Sequence, residues 1–327
     1  MPLDSSSATP ESNSLRPGAG EDLSRMPESE LCTRVRAFVS IAASHGSSIS
    51  SAELLLLLPR GIFADPVSLE SFIAHDPDLR AELIVFQGEI AFKGSENLAQ
   101  DHAEQLRLAE RRVAQAQSLS TRLVNMCPWI RLIAISGSTA YGRTKALDDV
   151  DFFIVTQRNR LWITLLVAML VAKILRARNR DASVFCLNRV LEEDECAGAF
   201  RSPQDPLFVR EALNLRILGG GDYYRELLTS ASWMEHPFPE LFRQAYSRID
   251  LPNSSTSDPG SRLWSFLNWI GFAGLAPYLG IAGIWRNNRL HRKGNLDARF
   301  RTIMRRGFFA YESKKYDLLR DTYRRAF

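Results

Sequence analysis

Apolar positions along the chain change their spacing several times, and each change marks an element. Leu31, Val35, Phe38, Val39 and Ala42 recur at helical spacing. Ser50 or Ser51 is placed to cap a short helix holding Leu54 to Leu58, and a further helix is expected near Ser68 to Ala74. LIVF (83–86), Gln87–Gly88 and EIAF (89–92) read as two strands about a tight turn. Residues 97–125 form a long charged helix, with Leu106, Leu108, Val113, Ala116 and Leu119 among Arg, Glu and Gln. Short apolar, β-branched runs follow. RLIAIS (131–136), DFFIVT (151–156) and DASVFCLNRVL (181–191) read as strands. Between the last two lies LWITLLVAMLVAKIL (161–175), apolar nearly all round and therefore expected to be a buried helix. Residues 204–250 read as helical, with a break at Gly219 to Gly221, and Leu251 to Ser261 as a linker rich in Pro, Asn, Ser and Gly.

These elements imply an α+β fold of four parts. Residues 1–27, rich in Ser, Pro, Glu and Gly, lack apolar periodicity and are expected to be a disordered tail. Residues 28–96, helices followed by a hairpin, have the pattern of a winged-helix-like module. Residues 97–250 form a mixed sheet with helices, entered through the long helix. Residues 262–327 hold a hydrophobic helical segment and a basic tail, a helical C-terminal region.

Leu263 to Trp285 carries no charge, and its 23 residues are enough to cross a bilayer. Asn268, Pro277 and four glycines weaken it as a span. Two structures fit: a buried helical hairpin bending near Pro277, or a segment that associates with a membrane.

Charge sharpens this picture. The net charge is only +4, yet Arg286 to Phe327 holds 13 Lys or Arg against 4 Asp or Glu, a local +9 that leaves −5 for the rest. Such a segment attracts nucleic acid, nucleotide phosphates or anionic lipid, and a solvated helix face explains it equally well. The expected recognition helix of the N-terminal module carries Glu70, His75 and Asp76 and few cations, which favours docking over DNA binding. Cys32, Cys127, Cys186 and Cys196 form no CxxC pair and read as free thiols of a reducing compartment. The N-terminal stretch lacks the pattern of a secretory signal, which points to the cytoplasm, with membrane association through 263–285 as the variant.

The candidate chemistry lies in ISGSTAYGRTKALDDVDFFIVT, from Ile135 to Thr156. A strand ends at Ser136, and Gly137–Ser138 turns the chain into a short helix near Thr139. The chain then returns as a strand led by Asp149–Val150–Asp151. Residues two apart on a strand share a face, so both carboxylates aim at one point. Paired hard oxygens suit Mg²⁺ together with substrate phosphates. Gly137 lets backbone approach a triphosphate, and Ser138 offers a hydroxyl and an N–H. Arg143 and Lys145 are placed either to meet phosphate or to lie free at the surface. Asp148 falls out of phase with the pair and reads as a turn residue. Tyr141 is placed to stack on a base or to pack in the core.

This stretch resembles the Gly–Ser, then Asp–x–Asp, signature of the polymerase-β-like nucleotidyltransferase superfamily. Its closest likeness is to uncharacterised bacterial and archaeal nucleotidyltransferase-domain proteins, with Arg160–Leu161–Trp162 after the acidic strand and Cys186–Leu187–Asn188 later. The likeness covers roughly residues 28–250. It implies a nucleotidyltransferase-type mixed sheet and a Mg²⁺-dependent enzyme that moves an NMP from an NTP such as ATP to a hydroxyl, releasing pyrophosphate. It implies that Asp149 and Asp151 bind metal and that Gly137 and Ser138 bind nucleotide. The family's third carboxylate, on a later strand, falls to Asp181 or is missing, Asn188 being uncharged. Without it, the chain would be a degenerate fold that binds nucleic acid or regulates. The acceptor is not encoded in any motif.

Overall fold

The computed structural model describes residues 27–178, 183–249, 262–292 and 299–326. The expected disordered tail, apart from Pro27, lies outside these residues, as does Asp181.

The fold is mixed α+β. The first part holds α1 (Glu28–Ser44), β1 (Ile49–Ser50), α2 (Ser51–Leu57), α3 (Pro66–His75), α4 (Pro77–Glu82), β2 (Leu83–Phe86) and β3 (Glu89–Phe92). Ser50 caps α2 by accepting the Glu53 N–H, and Asp65 and Ser68 form a reciprocal capping box on α3. The hairpin turns through Gln87 and Gly88, both with positive φ (51° and 79°), as a two-residue turn matching strand twist requires. The short strand β1 pairs with β3, giving the order β1-β3-β2.

The short α5 (Glu96–Gln100) and the 25-residue α6 (His102–Met126) lead to the main sheet. Its strands are β4 (Ile130–Ser136), β5 (Val150–Thr156), β6 (Phe185–Glu192), β7 (Arg216–Gly219), β8 (Phe300–Arg305) and β9 (Phe308–Ser313), in the order β7-β4-β5-β6-β9-β8. Among the described residues only β5 and β6 run parallel, with α8 (Leu161–Arg178) between them in the chain. The one-turn α7 (Gly137–Ala140) sits between β4 and β5. Helices α9 (Glu193–Arg201), α10 (Pro206–Leu213), α11 (Gly221–Thr229), α12 (Pro239–Ser247), α13 (Arg262–Arg292) and α14 (Lys314–Ala326) complete the chain.

Strand alternation splits the core in two. Leu132, Ala134, Phe153, Val155 and Leu191 face one way, into a core shared with α9 to α12 and the N-terminal helices. Phe38 of α1 packs on Phe238 and on Tyr323 of α14. The N-terminal part is thus continuous with the main core. Ile133, Ile135, Phe152, Ile154 and Val190 face the other way, towards α6, α8 and α13.

Four expectations are corrected. Residues 216–219 are a strand, not helix, because after α10 the chain pairs along the β4 edge. Gly220 (φ 81°) passes so close to Arg131 that any β-carbon would overlap its carbonyl. The region after 262 is not wholly helical. Phe300–Arg305 and Phe308–Ser313 form a hairpin about Arg306–Gly307, and β9 pairs antiparallel with β6. The 263–285 segment is no hairpin: α13 is one helix of 31 residues with Pro277 inside it. Finally, α8 is not buried all round. Its Leu161, Trp162, Leu165 and Ala168 side is buried, while Leu166, Leu170 and Ile174 are exposed.

The Arg160–Leu161–Trp162 stretch is an anchor between α8 and the C-terminal region. Asn268 Oδ1 of α13 accepts the Trp162 and Ile163 N–H groups at 2.7 and 3.2 Å. The Trp162 indole donates to the Arg306 carbonyl, and Arg160 to the Ser265 hydroxyl. The Glu192 carboxylate accepts backbone N–H groups of Asn159, Arg160 and Leu161 at the start of α8.

Candidate functional site

Asp149 directly precedes β5, and Asp151 is its second residue. Asp151 pairs with Ser136 of β4 on one side and with Cys186 of β6 on the other. One ligand atom each from Asp149, Asp151 and Cys186 lie within 4.8 Å of one another. The Cys186 thiol hydrogen-bonds to Asp151. Burial first, and the neighbouring Asp149 charge second, push the Asp151 carboxyl up to about 7. The same burial and the two carboxylates hold the Cys186 thiol well above its usual range.

The turn at Gly137 is fitted to this cluster. Gly137 has φ 67°, a conformation that glycine adopts freely. A β-carbon there would stand 2.6 Å from Asp151 Oδ2. Backbone and carboxylate thus meet at a distance that only hydrogen at Cα permits. Ser138 donates its hydroxyl to Asp148 at 3.0 Å, and Asp148 also accepts the Lys145 N–H at 2.9 Å. Asp148 is accordingly the brace of the turn that returns the chain to β5.

Gly137, Ser138, Arg143, Lys145, Asp149 and Asp151 all line one cleft of about 680 Å³, between the N-terminal helices and the main sheet. This volume is ample for a small-molecule ligand. The two cations differ. Lys145 is exposed, with its ammonium against the backbone of Gly46. Arg143 is buried, and its guanidinium is held by Glu89 (2.8 Å) and Glu53 (3.3 Å). It also donates to His102 Nδ1 at 2.6 Å. Burial and the Arg143 charge lower the His102 pKa, in keeping with a neutral ring whose Nε2 lies 3.3 Å from Glu89. Arg143 therefore ties the turn to α2, β3 and α6 (Glu53, Glu89 and His102).

Two residues absent from the sequence analysis share the cleft. Glu211 of α10 is half-buried and accepts the Tyr141 hydroxyl at 2.8 Å, and desolvation raises its carboxyl. Arg210 lies 4.9 Å over the Tyr141 ring and donates to Glu53 at 2.9 Å and to the Tyr323 hydroxyl. Nothing in local sequence marks them, because they arrive from a helix some 60 residues beyond the motif. Tyr141 is engaged by both.

A second cavity, of about 320 Å³, opens on the other side of Asp151. It is lined by Phe153, Phe208, Phe300, Tyr311 and Tyr316, with Arg189 and Arg286. Asp151, Asn188, Glu211 and Tyr316 border both cavities. No family model matches the chain, and no curated protein was found similar to it.

Proposed function

We propose that the protein is a metal-dependent nucleotidyltransferase with a nucleotidyltransferase-type sheet, and that the 680 Å³ cleft takes the NTP. One observation carries this: Asp149 and Asp151 converge beside the Gly137 turn on the wall of a cleft that also holds Lys145. Two carboxylates, open to a cavity and poorly neutralised by cations, suit a divalent ion. The donor set fits Mg²⁺ or Mn²⁺ through its two oxygens, and the thiol beside them admits a softer ion such as Zn²⁺. When bound, the metal neutralises the triphosphate and stabilises the charge that develops on attack and departure.

The chain's own groups then have distinct tasks. Gly137 lets backbone and phosphate approach. Lys145, with its ammonium unpaired with any carboxylate among the described ion pairs, supplies the mobile cation for phosphate. Arg143 positions the turn through Glu53 and Glu89. The aromatic cavity next to Asp151 receives the acceptor, whose hydroxyl displaces pyrophosphate from the α-phosphorus.

A second reading rests on Cys186. A thiol stands on the strand beside Asp151, where a third carboxylate would serve as base. That favours a nucleotide-binding protein with slow or no transfer. Nucleic acid as partner gains little from α3, whose ten residues hold no Lys or Arg.

The test is titration with ATP and other NTPs, with and without Mg²⁺ or Mn²⁺, following melting temperature and pyrophosphate. Metal-dependent stabilisation is expected, and pyrophosphate release should fall at least about a hundredfold in Asp149→Ala/Asp151→Ala. Stabilisation without pyrophosphate supports the second reading. No response to any NTP would overturn both.

A further inference from the structure

We infer that α8 and α13 together form a face that docks, lying flat, on an anionic lipid surface. Among the described residues α13 is the one helix long and apolar enough to cross a bilayer. It is nevertheless fastened lengthwise to the protein. Asn268 bonds the start of α8, and Gly271 packs on Trp162. Gly280 and Gly283 pack on Met304 and Thr302 of β8. A helix gripped from Asn268 to Gly283 cannot turn to run through a membrane without giving up these contacts. Its opposite side is exposed among the described residues.

That side is apolar. Leu263, Phe266, Trp269, Ile270, Tyr278, Ile281, Ile284 and Trp285 are each 46–68% exposed. Leu166, Leu170 and Ile174, at i, i+4 and i+8 on the adjoining α8, add a parallel stripe at 43–54%. Eleven large hydrophobic side chains on two packed helices exceed what solvent-facing surfaces ordinarily leave uncovered.

Charge decides between occupants. Neither helix contains a single Asp or Glu, and apart from Arg286, which lines the aromatic cavity beside Asp151, they hold Lys173, Arg176, Arg178, Arg262, Arg289 and Arg292. A second copy of this chain would bring the same six cations against themselves. A bilayer with anionic headgroups complements them, with the cations at headgroup level and the apolar face in the acyl boundary. Indole and phenol rings such as Trp269, Trp285 and Tyr278 favour that same boundary. This inference stands apart from nucleotide transfer, since the face lies on the side of the sheet opposite the Asp149–Asp151 cluster.

The test is co-sedimentation of the full chain with vesicles of phosphatidylcholine containing about one-third phosphatidylglycerol, against pure phosphatidylcholine. Binding should be at least about tenfold stronger to the anionic vesicles and should weaken as salt is raised. Tryptophan emission should shift to the blue on binding. Trp269→Ser/Ile281→Ser should abolish binding, and Leu170→Ser alone should weaken it, which α13 acting by itself would not produce. All three substitutions lie on the exposed face, so an unchanged melting curve and unchanged NTP response verify the fold. Equal binding to both vesicles, or none, overturns the inference. So does a dimer in sedimentation that Trp269→Ser/Ile281→Ser converts to monomer, which would assign the face to a second copy.

Discussion

On one face of the six-stranded sheet charge is taken inside, and on the other hydrophobic side chains are left outside. The cleft side buries Arg143 and Glu89 as a pair near Asp151 and half-buries Arg210 on Glu53 and Glu211 on Tyr141. Of their polar side chains, helices α8 and α13 bury only the uncharged Thr164 and Asn268 among the described residues, and they expose Leu170, Trp269, Ile281 and Trp285. Removing charges from water is costly, and a buried pair seldom repays that cost in stability. Leaving indoles in water is unfavourable too. Neither face is the most stable arrangement its composition allows. Folding stability therefore accounts poorly for both, which is what the proposed charged ligand on one side and the inferred lipid surface on the other would require.

Substitutions separate the two faces sharply. The largest effect is expected from Arg143→Met, which strands Glu89 in the interior, while Glu53 keeps only Arg210. Breaking such a buried pair costs about 3–5 kcal/mol, read by chemical denaturation. A loss under about 1 kcal/mol would show that these carboxylates simply take up protons.

Next comes Gly137→Ala, where a positive φ coincides with the Asp151 carboxylate. A loss of about 1–3 kcal/mol is expected, together with loss of metal-dependent NTP stabilisation. Retained nucleotide response with reduced stability would confine the role of Gly137 to folding.

A smaller effect depends on pH. Asp151 ionises near 3.8 when unfolded and near 7 in the folded protein without metal. The folded state thus holds its proton more tightly. This contribution is complete below about pH 4 and is lost as pH rises through 7. Asp151→Asn has no such proton to lose. Its melting temperature should gain on the wild type by about 2–4 °C between pH 4.5 and 8. Parallel curves for the two proteins would contradict the burial of Asp151 beside Asp149 as a cost to its charged form.

The smallest effect belongs to the other face. Ile281→Ser should change stability by no more than about 0.5 kcal/mol, because the side chain is already two-thirds exposed. A loss of 2 kcal/mol would mean that the protein itself covers this position.

Much of the cleft side was legible in sequence because its geometry is local. Asp149 and Asp151 share a face through strand periodicity, and Gly137 sits one residue past a strand end. The hairpin at Gln87–Gly88 and the long helix α6 declare themselves in the same way. Partners from distant segments did not. Arg143 looks like a phosphate ligand until β3 brings Glu89 to it. Cys186 enters the site by strand register, while Asp181, the candidate for a third acid, lies outside the described residues. The hairpin β8–β9 hid behind Arg301, Arg305 and Arg306, whose charges suggested a solvated tail. Residues 161–175 and 263–285 showed their apolarity plainly, but which side of each helix would be covered was fixed only by Asn268, Gly271 and Gly283.

Strand β9 also bears on how the chain folds. It covers the edge of β6, pairing Arg189 with Ala310 and Leu191 with Phe308. Until residues more than a hundred positions later arrive, β6 has an open row of N–H and C=O groups. Phe38 meets Tyr323 across 285 positions, so the core is closed by contacts among the most distant in the sequence. Closing such loops before any contact repays their entropy makes for slow folding, with an unpaired strand edge exposed meanwhile. A chain interrupted before β9 would present that edge to its neighbours, and aggregation would then compete with completion of the fold.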